Sequence, residues 1–138
     1  MTNWEPFECA RDLGISVQFC RELGGDLGRW YPKQTTILIL DSLPFFIERS
    51  VLAHEIAHAV LGHDSSTPKA ERQADRWAAR RLISIEDFRA VAAQSPDPGQ
   101  WCVDLQVTPR LLVTAADLYA SRRHARHDAA TGEAELAG

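Results

Sequence analysis

The stretch VLAHEIAHAVLGHD, residues 51–64, constrains the chain more than any other, because its chemistry depends on one secondary structure. His54 and His58 stand four apart with Glu55 between them. On a helix each residue turns about 100°, so the two imidazoles lie one above the other on one face and can reach one small cation. Glu55 falls beside that face, close enough to touch water held by the cation. The flanks agree: FIERSVLAHEIAHAVLG keeps a period of about 3.6 from Phe46 to Leu61, and Gly62 is well placed to cap the helix. Two ligands and a base are thus supplied, and a further ligand must come from elsewhere.

That ligand separates one kind of metal site from another. In the pattern H-E-x-x-H-x-x-G-x-x-H the glycine would stand at Leu61 and the last histidine at Asp64. Gly62 and His63 are each one residue out of register, so this solution fails. The other solution takes a glutamate from a second helix and leaves a position open for water. After a loop at Ser66–Pro68, KAERQADRWAARRLI is strongly helical by propensity. Glu71 is the candidate third ligand. Asp75, one turn later on the same face, is placed to accept the free N–H of a ligand histidine. Away from HEIAH, both acids would read as a charged face pairing with Arg72, Arg76 or Arg80.

The expected ion is Zn2+, one per chain, although two histidines and a glutamate also accept Mn2+ or Fe2+. Such an ion lowers the pKa of bound water toward about 7 and polarises a carbonyl. Glu55 would take the water's proton and pass it to a leaving amine. A group to meet the oxyanion is expected, with His63, Tyr31, Tyr119 and His124 as candidates. For His63 the simpler reading is a helix-end cation against the C-terminal dipole.

The rest of the chain gives an α+β outline. Pro6–Leu13 reads as a short helix ending at Gly14, and ISVQF as a half-buried strand. ELGGDLGRWYP is rich in glycine and reads as a turn between strands. TTILIL, Thr35–Leu40, is the strongest strand; it is either a core strand or an edge that aligns an extended substrate. Ser84 signals a helix over Ile85–Ala93, closed by SPDPG. WCVDLQV is short helix or irregular, and Thr108-Pro109 opens a last helix through Arg122. The expected organisation is one domain over 1–126, with the metal core at about 35–83 and a helical part at about 85–123. Residues 127–138 read as a mobile tail.

Composition excludes several classes. The 138 residues carry a net charge of −4, which argues against a protein built to neutralise phosphates. Three cysteines, with no C-x-x-C, fit neither a disulfide framework nor a cysteine zinc ribbon. No apolar run approaches the roughly 20 residues that span a bilayer. The N-terminal MTNWEPFECARD has acidic residues and lacks the apolar run of a signal peptide. The expectation is a soluble, cytoplasmic protein.

With these residues in view, the chain resembles the ImmA/IrrE-type metallopeptidases, small gluzincins of bacteria and mobile elements. The resemblance runs from RDLGISV through TILIL, peaks at LAHEIAHAVLGH, and continues in ERQADRWAARRLI and DLQVTPRLL. It departs where the family's glutamate helix ends in a Leu-Leu-Met-Pro-like run, for here stand Arg81, Leu82, Ile83 and Ser84. It implies a minimal zincin domain: a small three-stranded sheet packed on the helices that carry HExxH and the glutamate, with further C-terminal helices. It also implies zinc-dependent proteolysis of a helix-turn-helix repressor of the phage type, relieving repression. Two other functions compete. One is a zincin-fold binding or sensor protein that sequesters a repressor without cutting it, although Glu55 has no use in a closed structural site. The other is a nucleic-acid-associated zincin, supported only by arginines 72, 76, 80, 81, 122, 123 and 126, which read more simply as solvated helix faces.

Overall fold

The computed structural model describes the backbone of residues 4–130 and the side chains of residues 4–120. Helix α1 (Pro6–Asp12) leads through Gly14 into β1 (Ser16–Cys20), followed by β2 (Gly28–Tyr31) and β3 (Thr36–Leu40). Five helices follow among the described residues: α2 (Phe45–Val60), α3 (Pro68–Leu82), α4 (Ile85–Gln94), α5 (Pro98–Leu105) and α6 (Pro109–Ala130). The architecture is the expected α+β arrangement, with helices gathered against a small three-stranded sheet.

The strand order is β1-β3-β2, with β1 parallel and β2 antiparallel to β3. The β-branched run at Thr36–Leu40 therefore sits in the middle of the sheet. Ile37 and Ile39 are completely buried against α2, while the alternate residues are half-buried. Both edges of β3 are occupied, so it cannot offer one to a substrate. The free edge beside the helices belongs to β2, which lies within the segment expected to be a turn. Its four residues GRWY pair with Thr36–Ile39, because Trp30 and Tyr31 suit a pleated surface once β3 is there to receive them.

Helix α2 divides the core. On one side Leu52 and Ile56 meet Ile37, Ile39, Ile15 and Ala10. On the other, Ala53 joins Ala78, Leu82, Val107, Leu112 and Ala115 of the helical layer. A helix buried on two sides needs small residues where another backbone comes near, and Ala53 and Ala57 are both fully buried. Helix α3 answers with Ala70, Ala74 and Ala78 at four-residue spacing. This alanine seam lets α2 and α3 pack closely, with Glu71 and Asp75 beside it.

Local signals set the helix starts. Thr67 Oγ1 accepts from Ala70 N–H at 3.0 Å and Pro68 fills the first turn of α3. Ser84 Oγ accepts from Asp87 N–H at 3.0 Å, as the sequence leads one to expect. Asp97 caps α5, so SPDPG both ends α4 and starts the next helix. Helix α6 runs past the expected end at Arg122 to Ala130, so the expected mobile tail would begin inside it. Residues 131–138 of that tail lie outside the described residues. Among the described residues no helix is long and apolar enough to cross a membrane.

Candidate metal centre

His54 and His58 lie on α2 and Glu71 on the first turn of α3, and the alanine seam brings the three together. His54 Nε2 is 3.1 Å from His58 Nε2. Glu71 straddles the pair, with Oε1 3.0 Å from His54 Nε2 and Oε2 2.8 Å from His58 Nε2. Ser66 Oγ donates to Glu71 Oε2 at 3.0 Å and steadies the carboxylate from the loop.

The outer contacts fix where the protons are. His54 Nδ1 lies 2.8 Å from Asp75 Oδ1, a close polar contact rather than a well-aligned hydrogen bond, and that buried oxygen has no other partner. Asp75 Oδ2 accepts from Arg110 Nε at 2.8 Å. With its proton on Nδ1, His54 presents the Nε2 lone pair inward. Three electron-rich donors then converge, and a cation is what such a trio accommodates. Donors at about 2.0–2.1 Å from a tetrahedral zinc stand about 3.3 Å apart, close to the separations found here. The donor set fits the group.

Electrostatics agree. Burial pulls the His54 pKa down, but the Asp75 contact and the nearby carboxylates outweigh it, leaving it raised. For His58, burial and the charge of His54 win, and its pKa is lowered. Burial opposes ionisation of Glu71 and Asp75, yet the histidines, Ser66 and Arg110 hold both below the ordinary carboxylate range. Glu55 is different: burial pushes it up to about 7, with Glu71 and Asp26 adding to the effect. His54 and the Trp30 backbone pull in the opposite direction.

Two cavities flank this trio. One of about 420 Å³ is lined by Leu27, Val51, His54, Thr108, Arg110 and Leu111, among others. The other, about 290 Å³, reaches His58, His63, Trp30 and Ser66. Gly28, Glu55 and Glu71 line both, so a groove passes the trio on each side with Glu55 at its middle. The β2 edge forms one wall. Leu40 N–H donates to Leu27 O at 2.8 Å, so the antiparallel alternation turns the backbone groups of Gly28 and Trp30 away from β3. The backbone contact from Trp30 to Glu55 is on that side.

The other expected site residues scatter. His63 meets His58 edge to face, 5.1 Å between ring centroids, and its Nδ1 lies within hydrogen-bond distance of His58 Nδ1. Tyr31 lines neither cavity, and its hydroxyl accepts from Arg29 Nη1 at 3.3 Å. Tyr119 is buried in the helical core and donates its hydroxyl proton to the carbonyl of Ile83, which takes it out of reach of the groove. His124 lies on α6 beyond the described side chains. Of the arginines of α3, Arg72, Arg76 and Arg80 are exposed at four-residue spacing, the first two lining a cavity shared with Asp75 and Asp117, while Arg81 lies 4.5 Å over the Trp77 ring.

Three residues escaped the sequence reading: Gly28, Gln73 and Arg110. Only Arg110 had a local marker, standing just inside the helix start Thr108-Pro109.

A three-stranded sheet, an HExxH helix and a glutamate helix whose side chains meet at one point define a zincin-like domain of metallopeptidase type. The chain belongs to the peptidase family described as the IrrE N-terminal-like domain, whose match covers residues 10–119. No curated protein matches the chain.

Proposed function

We propose that this protein is a zinc-dependent endopeptidase whose target is a helix-turn-helix repressor of the phage type. The observation that supports this best is the groove, open on both sides of the His54–His58–Glu71 trio with buried Glu55 between. An endopeptidase needs room for chain on both sides of the scissile bond. The repressor comes from the family resemblance, and the groove suits any extended peptide.

In this reading His54, His58 and Glu71 hold Zn2+, which supplies Lewis acidity that acidifies water and polarises a carbonyl. Asp75, neutralised by Arg110, orients His54. Glu55 takes a proton from water and hands it to the leaving amine. An extended substrate lies along the outward edge of β2, beginning at Gly28, by strand addition there rather than to β3. Arg110, the one arginine among the described residues lining the larger cavity, offers its exposed guanidinium to the carbonyl oxygen as charge builds.

The experiment is direct. Zinc-loaded protein is mixed with a helix-turn-helix repressor of the phage type, in parallel with Glu55→Gln. Cleavage by wild type, with binding but no cleavage by the variant, is the expected result. Binding by both with cleavage by neither would leave a sequestering protein instead.

A further inference from the structure

His58 has a polar partner on the side away from Glu71. Its Nδ1 lies 2.9 Å from Nδ1 of His63, and His63 Nε2 lies 2.8 Å from Gln73 Oε1. The backbone dictates the first contact. Helix α2 stops at Leu61, and Gly62 takes a left-handed conformation at φ +73° that other residues adopt only with strain. Gly62 N–H then donates to Ala59 O at 3.3 Å and His63 N–H to His58 O at 2.9 Å. These are the paired bonds of a Schellman stop, which sets the residue after the glycine against the third residue from the helix end. That contact is commonly apolar. Here the two positions hold His63 and His58, so a hydrogen bond between rings takes its place.

The direction of this bond follows from its far end. The amide oxygen of Gln73 can only accept, so the single proton of a neutral His63 sits on Nε2. Nδ1 of His63 is then an acceptor, and the proton between the rings belongs to His58 Nδ1. His58 Nε2 is left with its lone pair toward Glu71 and His54.

We propose that His63 and Gln73 are positioning residues that hold His58 in its metal-binding tautomer and ring orientation, through a neutral chain from α2 across the loop to α3. The two ligand histidines are thus supported in unlike ways. His54 leans on the carboxylate of Asp75, which Arg110 offsets. His58 leans on uncharged groups, which adds no negative charge to a site that already gathers Glu55, Glu71 and Asp75. The purpose of the chain rests on the metal reading above, but its hydrogen bonds exist without metal and can be tested separately.

Long-range proton–nitrogen correlation spectra of metal-free, 15N-labelled protein report the tautomers directly. The expected result is His58 protonated at Nδ1 and His63 at Nε2; a proton on His63 Nδ1 overturns the proposal. Zinc affinity, by competition with a chromophoric chelator, is the second readout. His63→Leu keeps an apolar contact for the turn, so its metal-free melting temperature stays near that of wild type. Its zinc affinity falls about 10–100-fold, as does that of Gln73→Leu. Wild-type affinity in His63→Leu overturns the proposal. Should wild type itself take up no zinc, the peptidase reading fails, and the tautomers alone decide the chain.

Discussion

Gly28 of β2 lies directly against Glu55 of α2. A β-carbon at position 28 would stand 2.5 Å from Val51 Cγ1 and 3.2 Å from Glu55 Cγ. The valine methyl is a short, stiff group that cannot swing aside, so the strand or the helix must move. Gly28→Ala is expected to destabilise the fold by about 1–3 kcal/mol and to lower peptidase turnover by more than the stability loss explains. Urea unfolding and kcat on one sample check both. Wild-type turnover in a correctly folded Gly28→Ala protein would mean that the base tolerates displacement.

Glu71 is the donor that reaches both histidines, and nothing else in the described structure stands in its place. Glu71→Ala is expected to leave bound zinc well below one ion per chain after dialysis, while the Thr67 cap and the alanine seam keep α3 folded. Metal analysis beside far-ultraviolet circular dichroism gives the two readouts. A folded variant with wild-type metal content would remove Glu71 from the ligand set.

Much of this arrangement is legible in the chain. The helices α2 and α3 announce themselves because their period, their caps and their alanines all favour the same structure. Helical spacing alone then aims His54 with His58 and Glu71 with Asp75. What the sequence hides is whatever depends on pairing across distance. GRWY has no pattern of its own, and becomes a strand only because β3 lies beside it. Whether Thr36–Leu40 is central or edge depends on two partners that one strand's composition cannot name. Arg110 reaches Asp75 from 35 positions away. His63 is the instructive case, since a glycine followed by histidine, five residues after His58, already encoded the contact through its turn geometry.

Ala74 is fully buried in the seam, within a turn of both Glu71 and Asp75. A larger side chain there must push α3 from α2, moving the glutamate from the histidines. Ala74→Leu is expected to cost about 1–3 kcal/mol in the metal-free protein and to weaken zinc binding further still. Comparing unfolding with and without zinc separates the two effects. Equal destabilisation in both conditions would show that the seam sets packing alone.

The buried carboxyl of Glu55 makes stability depend on pH in the metal-free protein. Burial raises it from 4.5 to about 7, so the folded state prefers the protonated acid. The sign follows from linkage. Its stabilising contribution is complete below the unfolded value near 4.5 and is lost as pH rises through about 7. The difference amounts to on the order of 3 kcal/mol across that window. Glu55→Gln keeps the shape and removes the ionisation. In chelator-treated samples the variant is expected to gain on wild type between about pH 4.5 and about pH 7.5, most steeply near pH 6, midway between the unfolded and folded values. The difference between their urea midpoints reports this carboxyl together with its charge coupling to His54. A constant difference across the range would mean that Glu55 ionises as readily in the metal-free fold as in water.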